Sequence, residues 1–419
     1  MPALFPPDSS GAAPSPSAPT PPAVDVTAGP DLPALLVGRA QLGFDSLAWS
    51  VSRHRLLATC ERAVFWHYFG SRGKGLVPGD PDAKRAWALR HLTDVPLLTG
   101  TVVHQAARRL LDAIVLGGAK PTFDSLLTGA RFTLNQAWIN SQPAHIDRFW
   151  RSPTLYTALR EIAVRGELSD VEIVAGRERL RRCLMALMEA PVLADVANCN
   201  EGTVYLPPPA PMRFTVAGSG GITAITAWAA VDFAYRVADP QCVLERAAPS
   251  SSARDAAEPA ACERGVWTTT LPLGARFPSR PTWCVADFKV TSRPDPAGET
   301  LQLAAYGLWL AAAGYAADDG IYLGRIIELV RRVDRWYIID EKAMDAARAT
   351  MRTDVERQRT RMADVRAGAP LPRDAWALAA DPRTSCLRCR FKTLCPGVAG
   401  GLASRDSGRL PPTDGSAST

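Results

Sequence analysis

The chain has 419 residues, 47% of them hydrophobic and 21% charged, with a formal net charge of +6. That length supports two average domains or one elaborated domain with a large core, and the composition is that of a globular protein. No apolar run is long enough to span a bilayer, and the charge is too small for a dedicated basic nucleic-acid coat, although it permits a polyanionic partner.

Residues 1 to about 40 are rich in Pro, Ser and Ala, lack the basic start and apolar segment of a secretory signal, and read as a disordered leader. Nine cysteines without such a signal fit a reducing compartment, so cytoplasmic residence is expected. A helical region is expected over 41–198. It starts in SLAWSVSRHRLLATCERAVFWHYFG, where Leu47, Trp49, Leu56, Leu57, Val64 and Phe65 supply an apolar side around Cys60. Further helices are predicted near 82–94, 98–116, 121–140, 145–163 and 170–190. Gly100 and Thr101 are read as opening the helix that carries His104, Arg108 and Arg109.

After Asn198 the pattern turns to strands, in GTVYLPP, ITAITAWAAVDFAYRV and PTWCVADFKV, with the stretch 243–280 read as a long loop between the last two. A helix over GETLQLAAYGLWLAAAG, strands over IYLGRIIELV and RWYIID, and a long helix from Glu341 complete a region 199–398. Residues 399–419 read as a disordered tail. The expected class is α/β, a mixed central sheet flanked by helices.

Asp287 and Lys289 are two apart in a predicted strand and so share a face. An aspartate there binds a divalent cation while the lysine orients water beside it. The same pattern also describes a solvent-facing charge pair on an edge strand. Asp232 interrupts an apolar segment, where a carboxylate needs a partner or a metal, or else marks a turn between two strands. Gln302 and Tyr306, four residues apart, share one helix face.

Cys386, Cys389 and Cys395 form a C-x2-C-x5-C cluster, and Cys60 stands alone near the other end. Such thiolates bind zinc or an iron–sulfur cluster, and spacing alone does not decide between them. Cys183, Cys199, Cys242, Cys262 and Cys284 show no paired spacing and read as core or loop residues. Arg177, Arg179, Arg181 and Arg182 stud one helix, and Arg383, Arg388, Arg390 and Lys392 surround the late cysteines. Each group is either a solvated face or a phosphate contact.

In this order, His104, Asp232, Asp287 with Lys289, and Gln302 with Tyr306 resemble the RecB-like branch of the PD-(D/E)XK nuclease superfamily. The four-cysteine frame is similar to the iron–sulfur staple of CRISPR adaptation nucleases and AddB-type helicase–nuclease subunits. The string WSVSRHRLLATCERAVFWHYFGSRGKG resembles stand-alone bacterial members, and the likeness runs from about Ser46 to Pro396. The resemblance implies a restriction-endonuclease-like core covered or extended by the helical first half. It also implies magnesium- or manganese-dependent cleavage of DNA, at single strands or free ends, with a helicase or defence complex as further partner. Asp232, Asp287, the Phe288 carbonyl and His104 would be the metal ligands, and Lys289 would position water. Gln302 and Tyr306 would orient Lys289 or the strand. Cys60, Cys386, Cys389 and Cys395 would hold a [4Fe-4S] cluster, with zinc as the alternative. A different class of reading is a catalytically silent nucleic-acid-binding scaffold that keeps the fold and the staple.

Overall fold

The computed structural model describes residues 47–71, 81–199, 202–207, 211–218, 224–241, 243, 266–272, 277–291, 293–362, 373–386 and 389–395. The expected leader and tail, Cys242, Cys262 and Arg388 lie outside these residues. The protein is mixed α/β, as the sequence predicts: helices flank a six-stranded mixed sheet. The helices before the sheet are α1 (Val51–Thr59), α2 (Glu61–Val64, continued by a π-helical turn Phe65–Gly70), α3 (Pro81–His91), α4 (Val95–Val115) and α5 (Phe123–Ser141). They continue with α6 (Ile146–Arg151), α7 (Arg160–Arg165), α8 (Asp170–Met188) and α9 (Pro191–Ala197). No described helix is long and apolar enough to cross a membrane.

The strands are β1 (Val204–Tyr205), β2 (Met212–Ala217), β3 (Ala224–Ala229), β4 (Phe233–Val237), β5 (Thr268–Thr270), β6 (Thr282–Lys289), β7 (Tyr322–Glu328) and β8 (Val333–Ile339). Helix α10 (Pro296–Ala312) follows β6, and α11 (Glu341–Arg361) and α12 (Pro382–Ser385) follow β8. The main sheet runs β1-β4-β6-β7-β8-β5, with β6–β7 and β5–β8 parallel and the other pairs antiparallel. Strands β2 and β3 form a separate antiparallel ladder.

Several elements differ from the sequence reading. Helix α4 begins at Val95, not at Gly100: Asp94 caps it by accepting from the Leu97 N–H at 2.9 Å, and Pro96 sits in its first turn, where a missing N–H costs nothing. The helix expected over 145–163 is two pieces, because Pro153 disfavours helical backbone at Ser152 and Thr93 forms a bridge with Leu159. The segment around Asp232 is two strands, β3 and β4, with Asp232 in the link between them and not on a strand. The stretch read as a loop over 243–280 contains β5, a β-branched Thr-Thr-Thr run that pairs with β8 at the sheet edge.

Alternation along the strands divides the interior. Phe233, Tyr235, Cys284, Ala286, Phe288, Leu323 and Ile327 face one way and pack under α4, α5, α8 and α9. Ala234, Val285, Tyr322 and Ile326 face the other way and pack under α10, α11 and the β2–β3 ladder. A third apolar cluster joins α1–α3 and α6 to Trp376, Phe391, Leu394 and Cys395. Asp287 and Lys289 follow Val285 in period two, so both point toward α10. Helix α10 lies close to the sheet because Gly307 faces β8: a Cβ there would stand 2.6 Å from Ile339 Cγ2.

Polar ties bind distant parts of the chain. The Trp49 indole N–H donates to Asp354 at 2.8 Å, and Glu61 holds Arg357, Arg361 at 3.0 Å and the Ala377 N–H at 3.0 Å. On the α9 side of the sheet, Arg325 is sealed between Asp334 at 2.6 Å, Asp195 at 2.5 Å and the Tyr235 hydroxyl at 2.8 Å, with its guanidinium over the Trp336 ring.

Candidate functional site

Four segments meet around Asp287: α4, the link between β3 and β4, β6 and α10. Burial on β6 raises its carboxyl above the usual range. The Lys289 ammonium opposes that rise and the nearby Asp232 charge adds to it. Oδ1 accepts the Gln302 side-chain amide at 2.6 Å. Oδ2 is buried and ion-paired with Lys289 Nζ at 2.6 Å, with no second partner among the described residues. A buried carboxylate oxygen with spare lone pairs is the donor chemistry a hard divalent cation takes.

Gln302 is the hinge of the cluster. Its Oε1 accepts from Lys289 Nζ at 2.8 Å, and its amide also donates to the Tyr306 hydroxyl at 2.7 Å. Tyr306 in turn donates to the Ala230 carbonyl at 2.6 Å, which ties α10 to the link between β3 and β4. Burial drives the Tyr306 phenol well above its ordinary value, helped by the Asp287 and Asp232 charges, so it stays protonated. The spacing of Gln302 and Tyr306 on one face of α10, capped by Asp295 and started by Pro296, delivers both side chains.

Asp232 bridges the remaining parts. Its Oδ2 accepts the Phe288 backbone N–H at 2.8 Å, and its Oδ1 lies 2.8 Å from His104 Nδ1. Burial alone would lower the His104 pKa, but the charge and hydrogen bond of Asp232, with Asp287 beyond it, lift it to about 9. Phe288 itself buries its ring completely, so its backbone is what faces the site.

These residues lie on an open cleft of about 1430 Å³, which also takes in Arg55, Arg108, Arg109, Arg179 and Trp228. Arg108 is engaged by Asp112 at 2.8 Å and by the Pro207 carbonyl. Of the cationic groups marked in the sequence, Arg108, Arg109 and Arg179 reach the cleft. Arg177, Arg181 and Arg182 do not line it, nor do Arg390 and Lys392 beside the late cysteines; the Arg383 side chain lies outside what is described. Arg390 donates instead to the Arg90 and Leu92 carbonyls at 2.8 and 3.0 Å, a structural use of its charge. The sequence reading missed Trp228 and the Ala230 carbonyl. The signal for the first was a large aromatic at a half-buried position of a strand whose alternate residues are buried.

Cys60 separates α1 from α2, Cys386 ends α12, and Cys389 and Cys395 flank Phe391. Burial raises the thiols of Cys386, Cys389 and Cys395, with Cys60 adding to each rise, and Cys60 and Cys389 pack against the apolar cluster that contains Cys395. All four are free thiols. Among the described residues no group of three or more His, Cys, Asp or Glu stands in a ready metal-holding arrangement, here or at Asp287. Four thiols from both ends of the described chain nonetheless match the donor chemistry of zinc or an iron–sulfur cluster. Cys183 and Cys284 are buried core residues, and Cys199 is half-buried.

No protein-family model matches the chain, and no curated protein matches it.

Proposed function

We propose that this protein is a metal-dependent deoxyribonuclease of the PD-(D/E)XK type, with a restriction-endonuclease-like core, acting on single strands or DNA ends in repair, recombination or defence. One observation supports this most: His104, Asp232, Asp287, Lys289, Gln302 and Tyr306 come from four segments into one connected cluster on an open cleft. An ordinary surface ion pair would not bury Asp287 to 4% exposure beside a half-buried histidine–aspartate pair.

In this reading Asp232, Asp287, the Phe288 carbonyl and His104, the last after losing the proton that Asp232 stabilises on it, would hold magnesium or manganese. Bound there, the cation would lower the pKa of water and polarise a phosphoryl oxygen. Lys289 sets its Nζ 2.6 Å from Asp287, where it would orient the attacking water and offset charge that develops on phosphate. Gln302 fixes that nitrogen through its carbonyl oxygen, and Tyr306 fixes Gln302. Asp232 holds the β6 backbone through Phe288 N–H and so sets the separation between the two carboxylates. Cys60, Cys386, Cys389 and Cys395 would hold a [4Fe-4S] cluster, or zinc, that staples α1 to the C-terminal segment. A helicase or defence complex would be the wider partner.

The test is cleavage of end-labelled single- and double-stranded DNA with and without manganese. Metal-dependent hydrolysis that Asp287→Ala abolishes, in a protein that still melts cooperatively, is the expected outcome. Wild-type cleavage by Asp287→Ala would sink the assignment.

A further inference from the structure

Gly100 lies inside α4, one turn before His104, and faces the same cleft. Glycine inside a helix costs roughly 0.5–1 kcal/mol relative to alanine, so such a position needs a reason. Packing supplies none. A Cβ built at Gly100 meets no atom within 4 Å, whereas one at Gly307 would collide with its neighbour. The residue leaves helix backbone bare toward open space in a cleft wall, which is what close approach by another chain's backbone requires.

A second feature lies on the other side of Asp232. Trp228 is half-buried on β3, two residues before Ala230, on the strand face opposite the buried Ala227 and Ala229, and it lines the cleft. Its backbone is fixed on both sides: its N–H donates to the Trp49 carbonyl at 2.9 Å, and it pairs with Arg213 in the β2–β3 ladder. Among the described residues no aromatic ring stacks on it, although Trp49, two residues from the cleft-lining Val51, packs fully inside the core. Arg55, ion-paired with Asp295 at 3.1 Å, Arg109 and Arg179 bring guanidinium groups to the same cleft, beside Asp94 and Asp112. A rigid indole, a bare helix surface and guanidinium groups around one cleft are the components that bind an unpaired strand by stacking and by phosphate contact.

We infer that the cleft selects a single, unpaired nucleic-acid strand by seating its phosphodiester backbone against α4 at Gly100 and stacking one base on Trp228. This rests on the nuclease reading and adds what determines its preference among strands. Bases paired in a duplex cannot offer a face to Trp228, so discrimination follows from the wall and not from the metal site.

Binding measured in EDTA separates this inference from catalysis. The full chain is titrated, by fluorescence anisotropy, against a labelled oligothymidylate, an abasic strand of equal length and a blunt duplex. Wild-type protein should favour oligothymidylate over the abasic strand by about 5- to 100-fold, the range for one stacked base. Trp228→Ala should erase that preference while keeping the affinity for the abasic strand. Gly100→Gln should melt no lower than wild type, because it replaces a helix-interior glycine, yet it should bind both strands at least several-fold more weakly. Gly100→Gln carries the test on its own if Trp228→Ala fails to fold. Equal wild-type affinity for base-bearing and abasic strands, or unimpaired binding by Gly100→Gln, would overturn the inference. A protein that cleaves DNA but shows no base preference would leave the nuclease reading standing without this one. A protein that binds strands with the expected preference but never cleaves would do the reverse, and one that binds no strand would overturn both.

Discussion

On the proposed nuclease reading, Lys289→Met should separate metal binding from catalysis. In the structure the Lys289 ammonium lies 2.6 Å from Asp287 Oδ2 and 2.8 Å from Gln302 Oε1, with the Asp287 side chain 5% exposed. Methionine keeps the length of the chain and removes the charge. Without added cation, the buried carboxylate then loses its counter-charge, a change worth about 3–5 kcal/mol when one member of a buried pair is deleted. A cation at Asp287 would replace that lost charge, so manganese should recover most of the stability in the variant and add less in wild type. Manganese affinity should be no weaker than wild type, because a competing positive charge has left Oδ2. Cleavage should still fall by about 100- to 1000-fold, the usual cost of removing one group that stabilises developing charge. Melting curves with and without manganese, calorimetric titration of manganese and single-turnover cleavage read the three effects independently. Parallel loss of metal affinity and cleavage would refute the reasoning, as would wild-type cleavage by the variant.

Arg325→Met should destabilise the fold by about 3–5 kcal/mol, because Asp334, 1% exposed, and Asp195 lose their shared cation. Urea unfolding measures this, and an unchanged midpoint would show that the network contributes nothing. His67 sets an acid limit. Burial first, then Arg90, Arg390, Arg53 and His91, lower its pKa to about 3, so the unfolded chain binds more protons between that value and about 6.5. Stability is therefore full above the unfolded pKa and falls with pH below it, by about 2 kcal/mol between pH 7.5 and 5 from this group. His67→Gln should flatten the acid limb of the melting-temperature profile by that amount, and an unchanged profile would remove His67 from the account. The cysteine locus should carry iron and sulfide after anaerobic purification, and Cys389→Ser should lose both and lower the melting temperature. Stoichiometric zinc without iron would overturn the cluster while keeping the staple.

Much of this arrangement was legible in the sequence because local chemistry leaves local marks. Two residues on one strand face, Asp287 and Lys289, and two on one helix face, Gln302 and Tyr306, announce their directions through periods of two and 3.6. The α/β class was legible for the same reason. What the sequence hid was anything set by contact between segments. Asp232 interrupts an apolar run whether it stands on a strand or in a link. Only the hydrogen bond from the Phe288 N–H shows that it works from the link. The edge strand β5 is three threonines that mean little until β8 lies beside them.

Gly100 shows how a wrong boundary can mislead about function. As a residue opening a helix it needs no explanation, since glycine is accepted at helix ends. Once Asp94 and Pro96 place the start of α4 a turn and a half earlier, the same glycine carries an energetic cost with no packing to offset it. Local rules are broken where something other than stability was selected, and here the break falls one turn from His104 on the wall of the cleft. The two halves of the site thus differ in kind. The carboxylate–lysine–glutamine cluster is held rigid by hydrogen bonds that the chain makes with itself, whereas Gly100 and Trp228 are half-buried residues whose remaining surface lies along the cleft.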